Sequence, residues 1–210
     1  IRDSSVTGVQ TCALPIFVGK LPDSGGFTHI LTSKDVFSKY LFATPLRNAS
    51  APNVAKQLFH LFMRNAYIPK IILSDMGTAF TAKVMTELSK LLEITMQYAT
   101  VKHPQTVGSI ERTHASLKQY LGIYENKIKH DWHTYVDLSI FVHNTSYHAS
   151  IGCTPTYLFH GREPIKPLDV RFNLKTLQNL ETRYEFTSSI QDRMNEVFSA
   201  ARDATITADR

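Results

Sequence analysis

The chain has 210 residues, enough for one domain of ordinary size and a smaller appendage. Hydrophobic residues make up 43% of it, yet no apolar run reaches the roughly 18 residues of a membrane span, so we expect no membrane partner. The net charge of +5 and the pI near 9.2 favour an anionic partner. The two cysteines, Cys12 and Cys153, are too few for a disulfide framework or a four-cysteine zinc site.

The first sixteen residues, IRDSSVTGVQTCALPI, do not match the rest of the chain. They show neither the period of a helix nor that of a strand, and they lack the basic start and long apolar centre of a signal peptide. The stretch resembles a translated sequencing adapter, which is a contaminant of predicted proteins. We therefore interpret residues 1–16 as a foreign, unstructured segment.

From Phe17 the sequence shows regular patterns. Residues 17–46 predict three strands, with a turn at 23–26 between the first two. A helix follows, with Ser50 as its N-cap and an apolar residue at every third or fourth position. A fourth strand is predicted over 70–74, and its branched aliphatic residues favour a buried position.

A second helix is expected from Thr81. Its predicted apolar face comprises Val84, Leu88, Leu91 and Leu92. A short fifth strand over 94–98, a long helix over 109–128 and another helix from Asp131 complete the pattern. Three adjacent strands followed by alternating helices and strands predict an α/β fold, with a mixed five-stranded sheet flanked by helices.

Two acids stand at the ends of these elements. Asp75 directly follows the fourth strand, where Asp and Gly are common turn residues but where open α/β sheets also place their active sites. Glu111 lies in the first turn of the long helix, where a carboxylate also suits the helix dipole. Thirty-five residues, 76–110, separate the two.

The long helix presents these groups beside its buried face. At about 100° per residue, five apolar residues fall within about 40° of one direction and form the predicted buried stripe. They are Ile110, Leu117, Leu121, Tyr124 and Ile128. Glu111 and Lys118 lie about 90° from this stripe, and His114 lies between them and the stripe. A solvated glutamate and a plain surface lysine remain the alternatives on this helix alone.

Two acids 35 residues apart, the first after a strand and the second opening a long helix, resemble the D,D(35)E signature of retroviral and retrotransposon integrases. Further blocks are similar to the integrase core of gypsy-like LTR retrotransposons: LPDSGGFTHILTSKDVFSKYLFATPL, ILSDMGTAF, HPQTVGSIERTHASLKQYL and HNTSYHASIGCTPTYLFHGREP. The resemblance covers residues 17–170, the predicted catalytic core. It leaves 171–210 as a linker and C-terminal helical extension.

The resemblance implies an RNase H-like fold and two Mg²⁺ (or Mn²⁺) ions shared by three carboxylates, which activate an oxygen for attack on a phosphodiester. Asp75 and Glu111 would be catalytic and metal-binding, since Mg²⁺ prefers oxygen ligands. Arg112, His114 and Lys118 would contact DNA, although His114 stands where the family often has Asn.

The same resemblance implies element ends and target DNA as partners, together with further copies of the chain in a homo-oligomer. It implies no small-molecule substrate. Action in the nucleus is expected, without a targeting signal readable in the sequence.

The family's first catalytic Asp is missing from this sequence. The pattern D-F-V-G-K-L-P places it at position 16, where this chain has Ile16, and we expect the first strand to be truncated there. Three other acids come under consideration as a replacement. They are Asp3, in the foreign segment, Asp23, in the hairpin turn, and Asp35, which matches a structural position of the family. We expect none of them to substitute.

The sequence therefore predicts an integrase-type strand-transfer core whose activity as an enzyme is uncertain and is impaired by the loss of one Asp. The alternative is a non-catalytic DNA-binding or assembly module from a decayed or domesticated element. A nuclease of the same superfold is disfavoured by the integrase-like blocks, whereas the fold alone would not exclude it.

Overall fold

The computed structural model describes residues 12–74, 78–98, 115, 117, 121, 131–166, 171, 192, 195–196, 198–201 and 203. For Ile16 and Thr78 it describes the backbone alone. The described residues up to His143 belong to one compact unit, and those from Asn144 onward belong to a second. The predicted domain boundary at 170 stays a prediction.

A five-stranded mixed sheet forms the first unit. Its strands are β1 (Cys12–Val18), β2 (His29–Asp35), β3 (Leu41–Leu46), β4 (Ile71–Ser74) and β5 (Thr95–Tyr98). They lie in the order β3-β2-β1-β4-β5. The first three strands pair antiparallel, while β4 is parallel to both β1 and β5. This confirms the predicted mixed five-stranded sheet.

The described part of the chain also contains several helices. They are α1 (Ala51–Arg64), α2 (Thr78–Thr81), α3 (Lys83–Leu91), a 3-10 helix (Trp132–Tyr135) that leads into α4 (Val136–Thr145), and α5 (Pro155–His160). Of the predicted helix over 109–128, the described residues Ala115, Leu117 and Leu121 are helical. No helix in the described part of the chain is both long and apolar enough to cross a membrane.

Strand β1 corrects the prediction of an unstructured segment for residues 12–16, and it corrects the prediction that the first strand is truncated at position 16. Cys12–Val18 is a strand of seven residues, and it pairs with β2 from Ala13↔Asp35 to Val18↔Ile30. Its central position explains the error, because a strand buried on both faces shows no alternation of apolar and polar residues. Residues 1–11 lie outside the described part of the chain.

The two faces of the sheet pack against different elements. On one face, Val18 belongs to a buried cluster with Leu117 and Leu121 of the long helix and with Trp132 and Val136. On the other face, Phe17 stacks on Phe80, with ring centroids 4.9 Å apart. Full burial of a side chain such as Val18 contributes about 1.5–3 kcal/mol, and the half-buried Phe17 adds packing on the other side of β1.

Helix α1 forms as the sequence predicts. Val54, Leu58 and Phe62 are buried. Ser50 occupies the N-cap position, but its hydroxyl donates to Asn48 Oδ1 at 2.7 Å and makes no capping bond to the helix. The apolar period therefore predicted the buried face, while the contact of Ser50 depends on a neighbour in the preceding loop.

The second predicted helix begins later than the expected Thr81. Thr81 is instead the last residue of the short helix α2, and α3 begins after Ala82, whose backbone is extended. Its buried face contains Met85 and Leu88, whereas Leu91 is 74% exposed. The prediction was wrong for Leu91 because this residue is the last of α3, where no further turn covers it.

In the second unit, α5 has caps at both ends. The Thr154 hydroxyl accepts a hydrogen bond from the backbone N–H of Tyr157 at 3.1 Å, and Gly161 ends the helix with φ of 75°. A left-handed residue at this position suits glycine, which has no Cβ to clash. The Thr156 hydroxyl also donates to the Asn144 carbonyl at 2.8 Å, which ties α5 to the end of α4.

Asp35 is a buried structural acid at the end of β2. Its Oδ1 accepts a hydrogen bond from the Tyr67 hydroxyl at 2.9 Å. Its Oδ2 accepts from the backbone N–H and the hydroxyl of Ser38, at 2.8 and 2.6 Å. The carboxylate therefore joins the β2–β3 turn to the segment that follows α1.

We predict that Asp35→Ala lowers the free energy of unfolding by roughly 3 kcal/mol or more, because three buried donors lose their acceptor. Tyr67→Phe, which removes one of these bonds, should cost roughly 1–2 kcal/mol. The exposed Asp23→Ala is the control, and it should cost less than about 0.5 kcal/mol. Urea denaturation measures all three, and equal costs for Asp35→Ala and Asp23→Ala would contradict this role.

Candidate active site

The predicted site residues Asp75, Glu111, Arg112, His114 and Lys118 lie outside the described residues, so their roles stay predictions. The structure does describe the elements beside them. Strand β4 ends at the residue that precedes Asp75, and the long helix is described at three positions after Glu111. Position 16 lies within β1.

The carboxyl ends of four strands, β1, β3, β4 and β5, lie at one edge of the sheet. Strand β4 is parallel to β1 and to β5, and β3 has the same direction because it is antiparallel to β2, which is antiparallel to β1. Ligand sites in sheets of this kind lie outside the carboxyl ends of the strands. We call this border, where β1, β3, β4 and β5 end, the site edge.

One face of β1 packs against the described residues of the long helix. Val18, two residues after position 16, packs with Leu117 and Leu121 of that helix. Alternate residues of a strand lie on the same face. A carboxylate introduced at position 16 would therefore share the face that this helix covers.

Neither of the two described acids near β1 completes a metal site. Asp35 pairs with Ala13, three residues and about 10 Å from position 16 along the strand, and three hydrogen bonds occupy its oxygens. Asp23 is exposed, and its Oδ1 accepts from the Gly26 N–H at 3.4 Å within the hairpin turn. Among the described residues no group of three His, Cys, Asp or Glu could hold a metal ion. Asp3 lies outside them.

The chain is similar in sequence to known proteins. Residues 10–104 match the family model of the integrase core domain. The chain is 30% identical over 187 residues to the retrovirus-related Pol polyprotein from transposon 412 of Drosophila melanogaster, covering 88% of the chain and 15% of that protein. It is 28% identical over 151 residues to the Pro-Pol polyprotein of Simian foamy virus type 3, covering 72% of the chain and 13% of that protein.

A solved structure agrees in fold. The catalytic core domain of BIV integrase superposes with a TM-score of 0.61 at 21% identity, covering 80% of this chain and 100% of that one. The chain belongs to the retroviral-type integrase core family. Its fold is RNase H-like, as predicted. The family functions in DNA integration, forms oligomers and is generally dependent on divalent metal ions.

A hairpin at the site edge of this integrase core is fixed by residues far away in sequence. The Trp132 indole N–H donates to the Pro22 carbonyl at 2.7 Å, and Ser24 Oγ hydrogen-bonds His133 Nδ1 at 2.8 Å. Gly25 has φ of +62°, and a Cβ there would lie 2.8 Å from the His133 ring. The chain leaving β1 is therefore anchored to the 3-10 helix, which the sequence did not indicate.

Two further titratable groups in the core have shifted pKa values. Burial raises the pKa of the Cys12 thiol to about 11, and the Asp35 carboxylate adds to the effect, so this cysteine stays protonated and unreactive. Burial lowers the pKa of His143 to about 4, with the Lys34 ammonium contributing, although its hydrogen bond to the Lys39 carbonyl opposes the shift. His143 is therefore neutral at pH 7.

We predict that His143 makes the integrase core acid-sensitive. Its pKa is 6.5 when unfolded and about 4 when folded, so the unfolded chain binds the proton first as the pH falls. The contribution of neutral His143 to the free energy of unfolding is complete above pH 6.5 and is lost as the pH falls from 6.5 towards 4. Between pH 7 and pH 5 the loss should be about 2 kcal/mol.

Urea denaturation at pH 7 and pH 5 measures this loss. The variant His143→Gln keeps a donor but cannot take up a proton in this range, so its stability should fall by about 2 kcal/mol less than that of the original chain. An equal loss in both chains would show that His143 is not the group responsible.

Proposed function

We propose that the chain is the DNA-binding and strand-transfer core of a retrotransposon integrase, acting in the nucleus and impaired by the absence of its first catalytic Asp. The observation that carries this proposal is the parallel pairing of β1 with β4. Cys12 pairs with Ile71 and Ala13 with Ile72, which is an offset of 59 residues in each case (71 − 12 and 72 − 13).

The register supports position 16 as the site of the missing acid. If the offset of 59 is continued from Ala13↔Ile72, position 16 would be opposite position 75, which is Asp75. Paired residues of neighbouring strands lie on the same face of a sheet. An acid at position 16 and Asp75 would therefore be neighbours at the site edge, on the face that the long helix with Glu111 covers.

The residues present do not fit a complete two-metal site. Asp75 and Glu111 supply carboxylates, but Ile16 supplies only hydrocarbon. Hard cations such as Mg²⁺ need oxygen ligands, and of the two described acids near β1, Asp35 is committed to the fold and Asp23 to a turn. We infer that this chain performs little or no strand transfer, and that DNA binding is the function it retains.

The alternative, a non-catalytic DNA-binding or assembly module, is favoured by one observation. Strand β1 is fully formed without an acid at position 16, and its neighbours Leu14 and Val18 are only 5% and 1% exposed. The chain can therefore keep its core while lacking a catalytic group. The two functions differ in whether restoring the acid restores activity.

The site edge carries two exposed cations suited to DNA phosphates. Lys20 follows β1 and Arg47 follows β3. The Arg47 guanidinium lies 5.2 Å from the centre of the Phe27 ring, which holds it at this border. Arginine in such a position can bind phosphate with two parallel hydrogen bonds.

We predict that the chain binds duplex DNA weakly and without sequence preference, and that binding falls with salt as counterions are displaced. Arg47→Ala and Lys118→Ala should each weaken binding on every sequence and reduce the slope of log affinity against log salt by about 1. Fluorescence anisotropy with labelled duplexes at several salt concentrations measures both quantities.

The matched control is Arg64→Ala. Arg64 is also exposed, but it ends α1 on the path to the amino end of β4, away from the site edge. Its loss should leave the salt slope unchanged. If all three variants behave alike, or if affinity does not depend on salt, the proposal that DNA binds at the site edge is wrong.

We further predict that DNA strand-transfer chemistry returns when the β-strand β1 is repaired. Residues 12–15 are replaced by a proline-free strand sequence and Ile16→Asp is introduced. This variant should catalyse disintegration of a branched DNA substrate in Mn²⁺, whereas the original chain should show at most a trace of product.

The same repaired chain with Glu111→Gln is the control and should be inactive. A repaired chain that binds DNA and has an intact fold by circular dichroism, yet makes no product, would favour the non-catalytic module. An original chain as active as the repaired one would show that Ile16 is not the lesion.

A further inference from the structure

Pro15, the residue before the missing acid, is out of place in this sheet. It is buried in β1, which lies between β2 and β4. Proline has no backbone N–H and is normally confined to edge strands or to the starts of strands. A proline in a central strand therefore leaves one neighbouring strand without a hydrogen-bond donor.

The missing donor lies on the β4 side. The Val36 N–H donates to the Cys12 carbonyl at 2.9 Å, so the backbone polar groups of Cys12 face β2. Successive residues of a strand direct these groups to opposite neighbours. Cys12 and Leu14 thus face β2, while Ala13 and Pro15 face β4.

Among the described residues, the two ladders of β1 differ in length. Pairing of β1 with β2 continues past Pro15↔Ser33 to Val18↔Ile30. Pairing of β1 with β4 between residues that the structure describes consists of Cys12↔Ile71 and Ala13↔Ile72, although β4 continues to Ser74. In this part of the chain the pairing with β4 therefore ends before Pro15.

Two buried hydroxyls flank Pro15. The Oγ atoms of Ser33 and Ser74 are buried and have no hydrogen-bond partner in the described part of the chain. Ser33 is paired with Pro15 on the β2 side. Ser74 is two residues after Ile72, the partner of Ala13, and so lies on the same face as Pro15. Unsatisfied buried polar groups are rare and indicate a local misfit.

We propose that Pro15 is a second lesion of the site: it interrupts the β1–β4 ladder that positions residues 16 and 75, so that Ile16→Asp alone does not restore the site. Pro15 is thus a positioning residue that acts through the strand. This inference rests on the proposed function for its effect on activity, but its effect on the ladder can be measured without any activity.

The experiment compares the variants Ile16→Asp, Pro15→Val and Pro15→Val with Ile16→Asp. Valine supplies the missing N–H and favours strands. The matched control is Pro45→Val. Pro45 lies in the edge strand β3, where the Leu46 carbonyl faces β2 by accepting from the Thr28 N–H at 3.0 Å, so Pro45 faces away from the sheet.

Hydrogen exchange measured by mass spectrometry reports how well the backbone hydrogen bonds between β1 and β4 protect the amides. Pro15→Val should slow amide exchange in the peptide that covers residues 71–74 at least tenfold, and Pro45→Val should leave it unchanged. Disintegration activity in Mn²⁺ reports whether the site is assembled. The activity of the double variant should exceed that of Ile16→Asp alone at least tenfold. Pro45→Val combined with Ile16→Asp should gain nothing.

The outcomes separate the two claims. Unchanged exchange over 71–74 in Pro15→Val, or an Ile16→Asp variant that is active and matches the double variant, overturns the inference about Pro15 and leaves the proposed function standing. Slower exchange in Pro15→Val with an inactive double variant supports the ladder and overturns the proposed strand-transfer function instead.

Discussion

The pairing of β1 with its two neighbours determines where the site can form. A central strand must satisfy backbone groups on both sides and bury side chains on both faces. On the β2 side the ladder is continuous from Ala13 to Val18, and on the β4 side it comprises Cys12 and Ala13 among the residues that the structure describes. We expect the site at the carboxyl edge of the sheet, beyond the shorter of these two ladders.

The stability of the core and the chemistry of the site are located in different places. Asp35 and its three donors lie near the amino end of β1, and packing of Val18 and Phe17 fixes the two faces. None of these contacts needs an acid at position 16. The integrase fold of this chain therefore does not depend on an acid at position 16.

Local patterns predicted the elements that have one buried face. The period of Val54, Leu58 and Phe62 predicted α1 correctly. The same test failed for β1, because a strand buried on both faces has no polar alternation to detect. It also failed for Leu91, whose exposure depends on where α3 ends.

Contacts between distant residues could not be read from local patterns. The hydrogen bond from Trp132 to the Pro22 carbonyl joins residues 110 positions apart. The environment of Pro15 depends on which neighbouring strand it faces, which is a property of the whole sheet. The sequence identified Asp75 and Glu111 through their spacing and the motifs around them, and their juxtaposition stays a prediction.

The central claim is that Asp75 and Glu111 belong to one site at the carboxyl edge of the sheet. A crystal structure of the chain grown with Mn²⁺ tests it most directly, because anomalous scattering locates the ion independently of the carboxylates. The account predicts that the two carboxylates lie close enough to share ions about 4 Å apart. Carboxylates separated by more than about 10 Å, with Mn²⁺ bound elsewhere or to one of them alone, would contradict it.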